Sequence, residues 1–178
     1  MEKRIQTTTT MLRIAVTGPE SSGKTTLCTA LAEHYYVSYV PEYARAYLQN
    51  TKGNYEQQDL DHIAEGQLNS LLSFEGVMAI CDTDFSVLEI WSSYKYHTVS
   101  ERILNLVSQD VFDLHILCTP DIPWEEDPLR ENPNNRDELF ELYKESLRRH
   151  SKNFIVVAGA HEERLKKSWQ AIDAHLKL

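Results

Sequence analysis

Five short apolar segments recur along the chain, and each is bounded by polar residues, glycine or proline. β-Branched and aromatic residues are frequent in them, and polar residues are rare. Nearly continuous apolar runs of this length are typical of strands that are buried on both faces of a parallel sheet. We therefore predict five parallel strands, at Arg13–Thr17, Val37–Val40, Val77–Cys81, Leu114–Cys118 and Phe154–Ala158.

The segments between these strands carry apolar residues at helical spacing, and the first predicted helix runs from Thr26 to His34. Capping-box patterns indicate that two further helices begin near Asn54 and Thr98. Alternating strands and helices predict a doubly wound α/β fold, in which ligands bind beyond the carboxyl ends of the strands. The apolar faces of the later helices contain Leu60–Leu72, Val99–Val107, Leu139–Leu147 and Leu165–Leu176.

The segment from Gly18 to Thr25 reads GPESSGKT and fits the phosphate-binding pattern G-x-x-x-x-G-K-[ST]. It lies between a predicted strand and a predicted helix, which is the context that the pattern requires. Backbone N–H groups of such a loop bind phosphates, the Lys24 ammonium reaches the β- and γ-phosphates, and the Thr25 hydroxyl ligates Mg²⁺. The predicted nucleotide-binding residues are Gly18, Glu20, Ser21, Ser22, Gly23, Lys24, Thr25 and Thr26.

Length and composition restrict the classes of protein. A chain of 178 residues is predicted to form one domain over residues 12–178, preceded by a threonine-rich flexible tail at residues 1–11. The net charge of −9 argues against a nucleic-acid-binding surface. Apolar runs are too short to span a bilayer, so we expect no membrane partner. Three cysteines without a C-x-x-C pair predict buried, reduced thiols in a cytoplasmic protein.

Charged and aromatic side chains follow the second strand. Glu42 is predicted to lie at the rim of the ligand crevice, where a carboxylate accepts a proton from a substrate hydroxyl or orients it. Arg45 is a candidate for binding phosphate or a carboxylate, and Tyr43 offers a ring face to the substrate. The alternative is an ordinary helix N-terminus, where proline and glutamate are common.

Two acids follow the third strand. Asp82 is predicted to hold the Mg²⁺ shell, because an acid at a strand end beside the phosphate loop does so in related proteins. Asp84 is a candidate for contacting the substrate, and its alternative role is to cap the next helix. Trp91 and Tyr94 come next, as candidate substrate platforms or as core residues.

The long segment after the fourth strand contains four prolines and several acids. We predict that residues 120–137 form a lid at the ligand edge. Arg130 and Arg136 are predicted to neutralise charge on a transferring phosphoryl group, and the alternative is that they pair with neighbouring acids. Arg164, after the fifth strand, is predicted to stack on a nucleotide base or, alternatively, to form an ion pair.

These motifs occur together and in the same order in a known family. GPESSGKT, PEYAR, CDTD, CTPDIPWEEDPLR and the Gly159 loop resemble the ribosylnicotinamide kinase domain of the NadR-like proteins, which are AAA-type ATPases. The resemblance covers about residues 12–175. It implies a P-loop NTPase fold of the nucleoside-monophosphate-kinase type, with three αβα layers, a five-stranded parallel sheet and a small lid.

The resemblance also implies an activity: phosphorylation of the 5′-hydroxyl of nicotinamide riboside by ATP and Mg²⁺ in NAD salvage. It places Lys24 and Thr25 at the phosphates and metal, Glu42 with Asp82 or Asp84 at the ribose and its hydroxyl, and both lid arginines at the transferring group.

The sequence departs from longer relatives in two respects. It has no H-x-G-H nucleotidyl-transfer motif, so we expect no synthesis of NAD from the mononucleotide and no gene repression. Pro41 stands where relatives have an aromatic residue that helps to hold nicotinamide, which leaves the base specificity open. The alternatives are a kinase for another nucleoside or small molecule, or a nucleotide-dependent regulatory ATPase.

Overall fold

The computed structural model describes residues 11–109 and 111–176, so most of the predicted tail lies outside the described residues. The structure confirms the predicted five-stranded parallel sheet. The strand order, which was not predicted, is β2-β3-β1-β4-β5. The strands are β1 Leu12–Thr17, β2 Tyr39–Val40, β3 Met78–Asp82, β4 Leu114–Cys118 and β5 Phe154–Val157.

Strand β2 is shorter than predicted because its first residues complete the preceding helix. Tyr36 has a positive φ of 55°, and the N–H of Val37 donates to the carbonyl of Ala32 at 2.9 Å. This is a common way to satisfy the last carbonyls of a helix. Val37 therefore pairs with the helix, and the strand begins at Tyr39.

Two of the helices begin where a side chain accepts a hydrogen bond from a backbone N–H group at the helix start. The Asp59 carboxylate accepts the N–H of Glu56 at 2.7 Å, and Ser100 Oγ accepts the N–H of Ile103 at 3.2 Å. The predicted starts at Asn54 and Thr98 were therefore two residues too early. The helices are α1 Lys24–Tyr35, α2 Tyr43–Asn50, α3 Gln57–Leu72, α4 Ser86–Tyr96, α5 Glu101–Ser108, α6 Arg136–Arg149 and α7 His161–Leu176.

Helices cover both faces of the sheet, which gives three layers. Ile14 and Val16 of β1 pack in the cluster that contains α1 and α7, whereas Ala15 packs in the cluster that contains α2, α3 and α5. Successive residues of a strand point to opposite faces, so a strand covered on both sides must be apolar at every position. Among the described residues, no helix has the length and apolarity needed to cross a membrane.

The sheet order brings three functional segments to the carboxyl end of β1. Val16 is in register with Asp82 of β3, and Thr17 is in register with Leu117 of β4. The loop after β1 therefore lies between the ends of β3 and β4. Gly18 is required there, since it has φ 136° and an added Cβ would lie 2.6 Å from the carbonyl oxygen of Cys118.

Candidate functional site

The loop from Gly18 to Thr25 is a curled turn that leads directly into α1. Gly23 has φ 82° and precedes the first helical residue, so the unpaired N–H groups of the helix start open toward the loop. Ser22 Oγ and Lys24 Nζ donate to the carbonyl of Pro19 at 2.7 and 2.8 Å. These bonds fix the curl and keep the ammonium against the loop. The arrangement is a phosphate-binding cradle.

Asp82 and Thr25 bring two side-chain oxygens together beside this loop. The Thr25 hydroxyl donates to Asp82 Oδ2 at 2.6 Å. Asp82 is 2% exposed, and its Oδ1 has no hydrogen-bond partner among the described residues. No described cluster of three or more acids, histidines or cysteines could hold a metal. Mg²⁺ needs only one or two protein oxygens when phosphates and water complete its shell, so this pair fits the ion.

The side chains of Asp82 and Asp84 lie in different environments, although only Thr83 stands between the two residues in the sequence. Thr83 lies between them with φ 86°, which is rare for a β-branched residue. Asp84 turns into the protein interior, where it accepts from Thr17 Oγ1 at 2.8 Å and lies 3.0 Å from Nδ1 of His115. Burial alone would raise the pKa of Asp84, but the bonds from His115 and Thr17 and the charge of His115 outweigh it and lower the pKa.

A cavity of about 720 Å³, which we call the large cavity, connects the phosphate loop to residues that follow β2, β3 and β4. Its size is in the range of pockets that hold a small-molecule ligand. Five predicted site residues do not line it: Tyr43, Asp82, Asp84, Arg136 and Arg164. The predicted site residues that line it are Gly18, Glu20, Ser21, Ser22, Gly23, Lys24, Thr25, Thr26, Glu42, Arg45, Trp91, Tyr94 and Arg130.

Glu42 lies where the large cavity meets a smaller one of about 310 Å³, which also contains Asp82 and Tyr43. Helix α3 holds this turn in place. The Gln67 side chain accepts the N–H of Tyr43 at 2.8 Å, and the absence of a side chain at Gly66 leaves room for the Tyr43 ring. Burial raises the pKa of Glu42, and the positive charge of Lys24 only partly opposes it. The carboxylate is therefore more basic than an ordinary glutamate.

Four aromatic residues line part of the large cavity, and we call them the aromatic wall: Tyr55, Trp91, Tyr94 and Tyr143. Trp91 Nε1 donates to the Tyr55 hydroxyl at 2.9 Å, and the Tyr94 hydroxyl accepts from Asn135 at 2.6 Å. Tyr143 also lines this cavity, and burial raises the pKa of its hydroxyl. The sequence analysis missed Tyr55, whose segment gave only a helix-start signal, and Tyr143, whose spacing indicated only a core position.

The segment predicted to form a lid, residues 120–137, contains no helix or strand up to residue 135, and α6 begins at Arg136. We call residues 119–135 the lid, a role that stays a prediction. Arg136 Nη1 donates to the carbonyls of Ser21 and Ile122 at 3.0 Å each, and Arg130 Nη1 donates to the carbonyl of Glu125 at 2.5 Å. Both guanidinium groups lie 5.8 Å from the centre of the Trp124 ring. Arg130 of the lid and Arg136 at the start of α6 thus lie close to the phosphate loop, and each keeps further N–H donors for another partner.

Arg45 and Arg164 each form an ion pair with an aspartate of the lid. Arg45 pairs with Asp127 of the lid at 3.0 Å. Arg164 is 4% exposed, pairs with Asp121, and donates to the carbonyls of Gly159 and Ser22 at 2.8 and 2.9 Å. This geometry favours the ion-pair alternative for Arg164 over stacking on a base. Arg164 thus connects the loop after β5 to the phosphate loop by hydrogen bonds.

The three cysteines are free and buried.

Comparison with known proteins follows this geometry. A protein-family model described as an AAA domain matches residues 13–164. The trifunctional NAD biosynthesis/regulator protein NadR of Escherichia coli is 29% identical over 153 residues, which are 81% of this chain and 37% of that protein. The Salmonella typhimurium protein of the same name is 29% identical over 156 residues, with 83% and 38% covered. The chain thus spans less than half the length of these curated relatives.

Solved structures share the fold. A NadR protein in complex with NR superposes with a TM-score of 0.72 at 19% identity, covering 92% of this chain and 50% of that one. A deoxyadenosine kinase from M. mycoides with bound dATP gives a TM-score of 0.60 at 16% identity, covering 91% and 100%. These matches confirm a P-loop kinase-like α/β fold and the resemblance to the NadR proteins.

Proposed function

The chain belongs to this AAA-domain family, and we propose that it transfers the γ-phosphate of ATP to the 5′-hydroxyl of nicotinamide riboside, giving nicotinamide mononucleotide. The observation that carries the proposal is the large cavity. It joins the phosphate loop, the basic carboxylate of Glu42 and an aromatic wall in one space. A kinase needs this arrangement, since a donor phosphate and an acceptor hydroxyl must meet in line.

The protein's own groups would act by positioning and by neutralising charge. Loop N–H groups and the Lys24 ammonium hold the β- and γ-phosphates. Glu42 accepts the proton from the acceptor hydroxyl, for which its raised pKa suits it. Arg130 and Arg136 offer their remaining N–H donors to the charge that develops on the transferring group. Thr25 and Asp82 would hold Mg²⁺, which would neutralise charge on the phosphates.

The aromatic wall supports a cationic acceptor base. Nicotinamide riboside carries a positively charged pyridinium ring, and cations bind favourably to the faces of tryptophan and tyrosine. Trp91 and Tyr94 supply such rings, whereas Lys95 Nζ already lies 4.0 Å from the centre of the Tyr55 ring. The acids Glu42 and Glu131 line the same cavity. The structure of NadR with NR shows that a protein of this fold binds that ligand, which supports the proposal for this chain.

A second acceptor class has support from the deoxyadenosine kinase likeness. A neutral purine or pyrimidine nucleoside would stack on the same wall. A screen separates the possibilities: nicotinamide riboside and common nucleosides are each incubated with ATP and Mg²⁺, and ADP and phosphorylated product are measured. We expect fastest turnover with nicotinamide riboside. Preference for another nucleoside would change the acceptor, and acceptor-independent ADP release would instead support the regulatory ATPase.

A further inference from the structure

Side chains of the phosphate loop hold the lid closed over the large cavity. The Glu20 carboxylate accepts the N–H of Glu131 at 3.1 Å and the N–H of Asn132 at 2.9 Å. Ser21 Oγ accepts the N–H of Glu125 at 2.9 Å. The loop that would bind the triphosphate is therefore also a docking site for three backbone N–H groups of the lid.

Glu20 and Ser21 occupy variable positions of the pattern G-x-x-x-x-G-K-[ST]. Phosphate binding by this loop uses backbone N–H groups and the invariant lysine, so the pattern does not require a carboxylate at position 20. A carboxylate directed at bound phosphates would repel them. Glu20 instead accepts two hydrogen bonds from the lid, and bonds to a charged acceptor are stronger than neutral ones.

Glu131 continues the connection to the opposite end of the cavity. Its carboxylate accepts from Lys95 Nζ at 3.1 Å and from the Tyr55 hydroxyl at 3.0 Å. Tyr55 in turn accepts from Trp91. One lid residue is thus bonded through its backbone to the phosphate loop and through its side chain to the aromatic wall.

We propose that Glu20 is a positioning residue that couples lid closure at the donor end of the cavity to the acceptor end. Its consequence for turnover rests on the proposed phosphoryl transfer. A closed lid excludes water from the γ-phosphate. With the lid released, a water oxygen forms the new bond to phosphorus, the bond to the ADP oxygen breaks, and inorganic phosphate and a proton leave.

The test compares Glu20→Ala, Glu20→Gln and the control Glu75→Gln, which changes an exposed acid in the loop before β3. The first measurement is amide hydrogen exchange in the full chain without nucleotide. We expect exchange at Glu131 and Asn132 to be roughly tenfold faster in Glu20→Ala. Exchange at Arg130, whose N–H donates to the Asp127 carbonyl, should not change. Glu20→Gln keeps one acceptor oxygen and should give an intermediate result.

The second measurement is the ratio of inorganic phosphate to phosphorylated acceptor, together with the two KM values. Glu20→Ala should raise that ratio and the acceptor KM roughly tenfold, while the KM for ATP stays within about twofold. A merely structural role would move both KM values or neither.

The outcomes separate the two proposals. Unchanged exchange at both amides in Glu20→Ala overturns the positioning role, and so does altered exchange with an unchanged phosphate ratio and acceptor KM. If the unaltered protein phosphorylates no acceptor, the proposed function fails. In that case faster exchange at Glu131 and Asn132, and a higher rate of ATP hydrolysis in Glu20→Ala, still support the positioning role.

Discussion

The two ends of the large cavity are built in different ways. The donor end comes from one continuous stretch, Gly18 to Thr26, and Thr25 of that stretch bonds to Asp82, which lines the adjoining smaller cavity. The acceptor end is assembled from separate segments, with Glu42 after β2, Trp91 on α4 and Tyr143 on α6. Under the proposed function, a continuous loop would fix the chemistry of the triphosphate, whereas dispersed side chains would fix the identity of the acceptor. Changes at the donor end should therefore stop turnover with every acceptor.

The largest effect is expected from Lys24→Ala. Loss of the ammonium removes charge stabilisation from the transferring phosphate, and we expect kcat to fall by about 10³-fold with any acceptor. Lys24 donates only to the Pro19 carbonyl among the described contacts, so the fold should survive. Circular dichroism and a melting curve serve as the control. A folded variant with near-normal turnover would refute the role of the donor end.

The next largest effect is expected from Glu42→Gln. The amide cannot accept the hydroxyl proton, so kcat should fall by about 10²-fold while the KM for ATP changes little. Steady-state kinetics with ATP and acceptor varied separately measure both. If the KM for ATP rose by as large a factor as kcat fell, Glu42 would belong to the donor end, and this would contradict the distinction between the two ends.

The pH profile sharpens the same assignment. Because burial raises the pKa of Glu42, the carboxylate becomes protonated and inactive at a higher pH than an ordinary glutamate, whose pKa is about 4.3. The acidic limb of kcat/KM for the unaltered protein should therefore lie above that value. The residual activity of Glu42→Gln should lack this limb. A limb that persists in the variant assigns the titration to another group.

Asp84→Asn should change stability more than catalysis. The substitution disrupts a buried pair with His115, and removing one partner of such a pair costs about 3 kcal/mol of unfolding free energy. The pKa of Asp84 is lowered in the folded protein, so its contribution is present above the unfolded pKa and is lost as the pH falls through the folded pKa. Denaturant unfolding at pH 7 and below pH 4 should show a difference between proteins that shrinks in acid.

The smallest effect is expected at the aromatic wall. Trp91→Ala should raise the KM for the acceptor by about fivefold and leave the KM for ATP unchanged, since a stacking contact is worth roughly 1 kcal/mol. Trp91→Phe is the matched control, because it keeps a ring but loses the bond to Tyr55. Its KM for the acceptor should lie between the values of the unaltered protein and Trp91→Ala. If either variant raised the KM for ATP as much as the KM for the acceptor, the distinction between donor end and acceptor end would be contradicted.

The sequence was sufficient for the donor end because its residues are adjacent in the chain and its pattern has a fixed backbone geometry. The position of Glu42 at the ligand edge could also be predicted from the sequence, because the carboxyl ends of parallel strands share one edge. Asp84 and Arg164 show the limit of such reasoning. Each follows a strand, yet Thr83 turns Asp84 inward and the carbonyls of Ser22 and Gly159 engage Arg164. Local sequence does not encode which partner a side chain meets across the fold.

The most direct test measures the stoichiometry of products from nicotinamide riboside, ATP and Mg²⁺. Our account predicts one nicotinamide mononucleotide for each ADP, with little free phosphate, since donor and acceptor share one closed cavity. ADP accompanied by an equal amount of inorganic phosphate and no phosphorylated riboside would contradict it.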